Sequence, residues 1–156
     1  MIRRATPDDL EAVGRLGAAL LRAHYSFDPD RFMAAGTDAE AGYAWFLGTQ
    51  LERADSLVLV ADIDGEVMGY LYAGIEPRNW KELREEAGFV HDVLVHEDRR
   101  GAGLAQALME EAVTWCRERG VPRLILWTAA RNGGAQRLFE RLGFRNTMVE
   151  MTRELS

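Results

Sequence analysis

The chain has 156 residues, of which 47% are hydrophobic, and a formal net charge of −6. This length supports one domain with a sizeable core, at residues 1–156, and no apolar run is long enough for a membrane span. The acidic balance argues against a nucleic-acid-binding protein and is compatible with a cationic ligand.

The first residues and the cysteine content predict the compartment. The stretch Met1-Ile2-Arg3-Arg4 lacks the apolar segment of a signal peptide, so we expect a cytoplasmic protein. The single cysteine, Cys116, excludes an internal disulfide. It falls on the apolar side of a predicted helix, where a packing role is expected.

The first third of the chain predicts a short strand followed by helices. Residues 2–5 predict the strand, and Thr6 followed by Pro7 marks a helix start. Apolar residues spaced three and four apart continue this helix to Leu21. Two further helical pieces are predicted at residues 29–34 and 38–54.

The middle of the chain predicts a β-hairpin and then alternating strands and helices. Strands at Ser56–Ile63 and residues 67–75 are joined by Asp64-Gly65, a hairpin turn signal. A strand at residues 89–95 leads into a helix that starts at Gly103 and stops at Gly120. The remaining elements are a buried strand at 124–128, a helix from Asn132 to Gly143 and a strand at 148–152. This order predicts a mixed sheet with helices on both faces.

Residues 93–105 predict an anion-binding site. A β-branched run passes into charged residues, then into Gly101 and Gly103, and then into a helix. The first N–H groups of a helix have no intrahelical partner, and glycines let the backbone approach phosphate oxygens closely. A nucleotide-triphosphatase loop would need lysine and serine or threonine after Gly103, where Leu104-Ala105 stands. A dinucleotide-binding loop would need a third glycine at Gln106.

Two motifs resemble the GNAT superfamily of N-acetyltransferases. The run from Arg100 to Ala105, RGAGLA, is similar to the R/Q-x-x-G-x-G/A signature that binds the pyrophosphate of acetyl-coenzyme A (acetyl-CoA). The segment from Asn132 to Phe144, NGGAQRLFERLGF, resembles the family's N-x-x-A-x-x-L-Y-E-K-L-G-F segment. The resemblance covers about residues 89–144.

This resemblance implies a fold and a cofactor site. The fold is mixed α/β, with a mostly antiparallel sheet of six to seven strands, a splayed central strand and helices on both faces. Amides of residues 100–105 would hold the pyrophosphate, and residues 93–95 would pair with the pantetheine arm. An amide near Leu94 or Val95 would stabilise the developing oxyanion. The implied cofactor contacts are Val93, Leu94, Val95, Arg100, Gly101, Ala102, Gly103, Leu104, Ala105, Asn132 and Phe139.

The same resemblance leaves two residue roles open. Phe139 stands where many family members have the tyrosine that protonates the departing thiolate, and phenylalanine donates no proton. In one alternative another hydroxyl donates the proton; Tyr70 and Tyr72 are the candidates, and Tyr72 is preferred. In the other alternative coenzyme A leaves as the thiolate. Asn132 is equally explained as a helix cap.

His91 is the candidate general base. It lies two residues before Val93 on the central strand, and histidine is the side chain that changes charge near neutral pH. Strand alternation predicts that it shares a face with Phe89, Val93 and Val95, with Asp92 opposite. A structural hydrogen bond would equally explain a histidine here.

The remaining histidines and the acceptor regions are less defined. His96 is close to the glycine loop and His24 is near the expected acceptor site, but no spacing indicates a metal site. Residues 24–54 and 77–86 are expected to set the acceptor. Trp80 with three glutamates of that second segment would receive a cationic amine, although a solvated mixed-charge loop is the commoner explanation.

The sequence therefore predicts an acyltransferase that moves the acetyl group of acetyl-CoA to a primary amine of a small molecule or peptide. Direct attack in a ternary complex is expected, because no well-placed nucleophile favours a covalent enzyme intermediate. The alternative function is a non-catalytic acyl-CoA-binding sensor or interaction module. A homodimer is compatible with either function.

Overall fold

The computed structural model describes residues 1–156 and contains five β-strands and four α-helices. The strands are β1 (Ile2–Arg4), β2 (Ser56–Ile63), β3 (Glu66–Glu76), β4 (Ala87–Val95) and β5 (Leu124–Leu126), and the helices are α1 (Leu10–Phe27), α2 (Ala39–Gln50), α3 (Leu104–Glu118) and α4 (Gly133–Arg141). None of the helices combines the length and apolar character that a membrane span requires.

All five strands form one sheet in the order β1-β2-β3-β4-β5. Neighbouring strands are antiparallel except β4 and β5, which are parallel because α3 connects them as a crossover helix. The hairpin between β2 and β3 turns at Asp64 and Gly65, which both have positive φ. The Asp62 carboxylate accepts a hydrogen bond from the Gly65 N–H at 2.8 Å. The predicted hairpin is confirmed.

Side chains that alternate along the central strands form two cores, one on each face of the sheet. Leu71 of β3 shares one core with Leu108 of α3. Tyr70, the next residue along β3, shares the other core with Val13 of α1 and Leu47 of α2. Both Tyr70 and Leu71 are fully buried, so β3 is covered on both sides.

Strand β4 contains one extra residue, His91, relative to its antiparallel neighbour β3. Tyr72 pairs with Asp92, whereas Ala73 pairs with Val90. A bulge of this kind bends the strand and increases its twist. The parallel pairing with β5 also ends here, at Val90. From His91 onward β4 is therefore bonded to β3 alone and is splayed from β5.

The sheet has five strands instead of the predicted six to seven. The predicted strand at residues 148–152 is wrong, because no second strand lies beside that segment in the chain. A sequence pattern shows only that a segment suits a sheet, whereas a strand forms only where another strand bonds to it. The predicted strand at 124–128 is also shorter, and its residues are half-buried.

The predicted helical piece at residues 29–34 forms only a turn. Helix α1 ends at Phe27 because Asp28 has extended backbone angles, φ −155° and ψ 91°, ahead of Pro29. The residue before a proline is disfavoured in the helical region. The N–H groups of Arg31 and Phe32 both donate to the Asp28 carbonyl, which closes a single turn.

Close contact between α1 and α2 leads to a stability prediction. A Cβ atom added at Gly14 would lie 2.5 Å from the backbone oxygen of Glu40. We expect Gly14→Ala to lower the free energy of unfolding by about 1–3 kcal/mol, since the helices must move apart. Gly42→Ala in α2, where a Cβ meets open space, is the control and should stabilise by up to about 1 kcal/mol. Urea unfolding measures both, and a Gly14→Ala protein as stable as wild type would contradict the close contact.

Candidate active site

The splay of β4 leaves one edge of its last residues without a strand partner. Val93, Leu94 and Val95 pair with Leu71, Tyr70 and Gly69 of β3 on one side only. On the other side β5 has already ended its pairing at Val90. An unpaired strand edge presents N–H and C=O groups that can bond to an extended ligand.

This free edge leads directly into the N-terminus of α3. The capping residue Gly103 has φ +80° and Gly101 has φ +82°, a backbone region that favours glycine. The first turn of α3 has no acidic residue and no side chain caps its amides. The Nε of Arg100 donates to the Val95 carbonyl at 3.3 Å, which ties the turn to the end of β4. Free amides and the helix dipole together make this an anion-binding end.

The bulge places His91 and Asp92 on the same side of the sheet, the side covered by α1 and α2. The His91 ring stacks on Phe89 and Tyr72, with centroids 4.8 and 4.9 Å apart. Asp92 accepts a hydrogen bond from the Tyr70 hydroxyl at 3.1 Å.

The predicted face of His91 is therefore wrong in part. Phe89 shares its side as expected, but Val93 and Val95 belong to the core beneath α3. Asp92 lies on the same side as His91, not opposite, because the extra residue in β4 interrupts the alternation.

His91 is oriented by a carboxylate. Its Nε2 lies 2.8 Å from Oε1 of Glu76, the last residue of β3. A carboxylate only accepts hydrogen bonds, so in this contact Nε2 carries the hydrogen. In the neutral ring, Nδ1 is then the nitrogen with a free lone pair, which is the arrangement a general base requires.

Asp92 is the site residue that the sequence analysis missed. Burial raises the pKa of this carboxyl, and the Tyr70 hydroxyl bond opposes that rise. Burial also raises the pKa of Tyr70 well above its usual range, so Tyr70 remains a hydrogen-bond donor. The available signal was two adjacent polar residues, His91 and Asp92, inside an otherwise apolar strand.

The Tyr72 ring lies beside His91 on the same face of the sheet. Its hydroxyl donates to Oε1 of Gln50 at 3.3 Å. The Ser56 hydroxyl donates to that same oxygen at 2.8 Å, which fixes the Gln50 amide. Burial raises the pKa of Tyr72, so its phenol keeps its proton at neutral pH. This residue is available as a proton donor.

The other predicted residues lie apart from this cluster. Asn132 caps α4, since its side-chain oxygen accepts from the Ala135 N–H at 3.2 Å. Phe139 and Cys116 are buried in the core under α3, and burial raises the pKa of the Cys116 thiol. His96 accepts a hydrogen bond from the Asp98 N–H in the turn after β4.

The loop at residues 77–86 offers little free negative charge. Glu82 is paired with Arg84 at 2.8 Å, and Glu85 is paired with Arg78 at 2.8 Å. Trp80 is exposed beside Arg78, 5.5 Å from its guanidinium carbon. Two of the three glutamates expected to receive a cationic amine thus already have arginine partners.

The sequence is similar to known acetyltransferases. The sequence model of the Acetyltransferase (GNAT) family matches residues 18–144. An uncharacterized N-acetyltransferase of Archaeoglobus fulgidus is 30% identical over 142 residues, 88% of each chain. One of Methanocaldococcus jannaschii is 27% identical over 148 residues, 95% of this chain and 62% of the relative. A mycothiol acetyltransferase of Cellulomonas flavigena is 28% identical over 153 residues, and the chain spans only 42% of its length.

Solved structures share the fold. A mutant protein of Bacillus halodurans superposes with a TM-score of 0.88 at 22% identity, covering 100% of this chain and 99% of its own. An aminoglycoside N-acetyltransferase in complex with coenzyme A superposes with a TM-score of 0.73 at 20% identity, with 100% of both chains covered. The predicted fold class is confirmed, apart from the number of strands.

The buried carboxyl of Asp92 leads to a prediction on stability and pH. The pKa of this carboxyl is raised in the folded state, so the ionised form lowers the free energy of unfolding. This loss of stability begins as pH rises past the ordinary pKa of aspartate and is complete above the raised pKa. Asp92→Asn removes this charge and keeps an oxygen for the Tyr70 hydroxyl. We expect its unfolding temperature to exceed that of wild type by about 2 °C or more at pH 8, with the difference disappearing below about pH 4.

Asp30→Asn, at an exposed position after α1, is the matched control and should leave the unfolding temperature unchanged at each pH. Scanning calorimetry across the pH range provides the measurement. A pH-independent difference for Asp92→Asn would contradict the assigned cause.

Proposed function

Because the chain belongs to the GNAT family of acetyltransferases, we propose that it transfers the acetyl group of acetyl-CoA to a primary amine. The observation that carries this proposal is the continuity of three features along β4. The bulge with His91 and Asp92, the free edge at residues 93–95 and the open N-terminus of α3 follow one another in the chain. In the proposal, residues 1–156 act as one catalytic domain.

The proposed donor site fits the chemistry of coenzyme A. The amides at the start of α3 suit a pyrophosphate, and residues 100–105 contain no acid that would repel it. The free edge of Val93 to Val95 suits the amide-containing pantetheine arm, which would bond to it as an added strand. The structurally similar aminoglycoside acetyltransferase, with coenzyme A bound, supports this assignment. In the proposal Asn132 and Phe139 border the arm from α4.

The proposed reaction uses the polar cluster around His91, on the side of the sheet that α1 and α2 cover. His91, held by Glu76, removes a proton from the acceptor, and the amine nitrogen bonds to the acetyl carbon as the carbon–sulfur bond breaks. The thiolate leaves as such or takes a proton from Tyr72. An amide near Leu94 or Val95 stabilises the developing oxyanion. Direct attack is favoured because the only cysteine, Cys116, is buried away from this cluster.

The proposed acceptor is cationic. Glu76 and Asp92 are acidic groups on the acceptor side, where Tyr72 and Phe89 stack on His91 and Trp127 lies edge-on to Phe89. Carboxylates and aromatic faces both attract an ammonium group before it loses its proton.

The activity test combines binding and turnover. Calorimetric titration with acetyl-CoA measures binding, and a thiol reagent measures coenzyme A release across a panel of polyamines, aminoglycosides, amino-acid amides and peptides. The protein contributes little background, since its one thiol is buried. Thiol release with any amine supports the enzyme. Binding without release across the panel would favour the sensor module, and no binding would contradict both functions.

The donor site leads to a prediction at Gly103. Gly103→Val forces a β-branched residue into a left-handed backbone at the proposed phosphate turn. We expect the Kd for acetyl-CoA to rise at least about tenfold, which corresponds to about 1.4 kcal/mol. Gly120→Val, with φ +72° just beyond the other end of α3, carries similar strain and should leave the Kd unchanged. Calorimetry on both folded variants decides, and an unchanged Kd for Gly103→Val would count against the site.

The proposed base leads to a prediction at His91. We expect His91→Ala to lower kcat by about 10²–10⁴-fold with nearly unchanged acetyl-CoA affinity, and to remove the histidine limb of the pH–rate profile. His96→Ala, in the turn after β4, should retain that limb. Steady-state rates across the pH range measure both variants. A wild-type profile in His91→Ala would exclude His91 as the base.

A further inference from the structure

Five aromatic side chains form one continuous row on the acceptor side of the sheet. Each ring contacts the next, with centroids 4.8 to 5.6 Å apart. In order along the row they are Trp127, Phe89, His91, Tyr72 and Phe46. Strands β4 and β3 supply the three inner rings, and α2 and the segment after β5 supply the outer two. The proposed base thus lies in the middle of this aromatic row.

Trp127 lies at the point where β4 and β5 separate. The last paired residues of the two strands are Val90 and Leu126, so His91 and Trp127 are the first residues beyond the pairing on either side. The Phe89 ring lies between these two side chains, since it stacks on His91 and lies T-shaped to Trp127 at an interplanar angle of 82°. His91 and Trp127 therefore flank the start of the splay on the same side of the sheet.

The Trp127 end of the row is open to a ligand. Trp127 is 70% exposed, whereas Phe89 beside it is only 6% exposed. A tryptophan supported by a buried ring offers a large, rigid apolar surface that loses little conformational entropy on binding. The other exposed tryptophans differ, because Trp80 already has the Arg78 guanidinium over its ring and Trp45 lies on α2 outside the row.

The charges beside the row suit an acceptor with one ammonium group. Oε1 of Glu76 is bonded to His91, and no hydrogen bond within the chain reaches Oε2 of this carboxylate. From His91 to Trp127 the row offers only apolar rings. The next charged residue after Trp127 in the chain is basic, Arg131. A carboxylate attracts one ammonium, but a polycation would find no second acid along these rings.

We propose that the acceptor is a primary amine on a short chain that ends in an aromatic ring, and that Trp127 determines this specificity. The inference rests on the proposed acetyl transfer. The amine nitrogen lies beside His91 and Glu76, and the ring of the acceptor stacks on the exposed surface of Trp127. A short linker suffices, because only the Phe89 ring separates His91 from Trp127.

Two amines of equal charge and similar size test the proposed class. Phenethylamine has a planar aromatic ring and cyclohexylethylamine a puckered aliphatic one, so the comparison isolates ring stacking. We expect kcat/KM for coenzyme A release to be at least about fivefold higher with phenethylamine, and lower again with the diamine putrescine. An equal or higher kcat/KM for cyclohexylethylamine or putrescine would overturn the proposal and leave the acetyl transfer standing.

Variants of Trp127 locate the contact. We expect Trp127→Ala to raise KM for phenethylamine at least about tenfold and to abolish the preference between the two amines, with kcat nearly unchanged. A purely structural role would instead lower kcat for both amines alike and would overturn the assignment. Trp127→Phe keeps a ring and should restore most of the preference. Trp45→Ala removes a tryptophan of similar exposure, 73%, and as the matched control should keep the wild-type KM.

Failure of the acetyl transfer itself would be seen separately. Calorimetric titration of phenethylamine in the presence of coenzyme A measures acceptor binding without turnover. Binding that Trp127→Ala weakens, with no thiol release from any amine, would contradict the proposed transfer and retain the aromatic site. No binding and no release would overturn both.

Discussion

The functional architecture depends on one extra residue in β4. Backbone hydrogen bonding to β3 is continuous on both sides of His91, but the register shifts by one position there. The pairing with β5 ends at the same place, at Val90. A bulge thus supplies two things together. Beyond it an edge of β4 is free, where the donor arm is proposed to bind, and at it two neighbouring polar side chains turn to the same face.

The two faces of the sheet perform different tasks as a consequence. Beneath α3 the core is apolar, and Cys116 and Phe139 are part of that packing. Beneath α1 and α2 the core includes Tyr70, and the groups beside it are the half-buried Tyr72 and Asp92 and the more exposed His91. Burying a carboxyl and a phenol disfavours their charged forms, which the raised pKa values of Asp92 and Tyr70 express. Burying such polar groups lowers the stability of the fold, a cost that is common at functional sites.

Hydrogen bonds between side chains limit the freedom of this polar face. Glu76 orients His91, Tyr70 donates to Asp92, and Gln50 accepts from Tyr72. Two of these pairs join β3 to β4 and the third joins β3 to α2, so the cluster depends on the register of β4 against β3 and on the packing of α2. The donor side is held differently, by backbone conformation at Gly101 and Gly103 and by Arg100 bonded to the Val95 carbonyl. Local chain geometry thus forms the proposed donor site, and tertiary packing forms the proposed acceptor side.

This difference explains how much could be predicted. The glycine turn, the open start of α3, the Asn132 cap and the hairpin at Asp64-Gly65 follow from residues close together in the chain, and each was predicted from sequence. The family motifs are local for the same reason. The prediction of side-chain faces from strand alternation was wrong at His91, because a bulge depends on the register with β3 and has no signature in the local sequence. The partners Glu76 and Tyr70 are 15 and 22 residues distant from His91 and Asp92, and only the folded sheet brings them together. Whether residues 148–152 form a strand was likewise decided by the tertiary structure, because a strand exists only beside another strand.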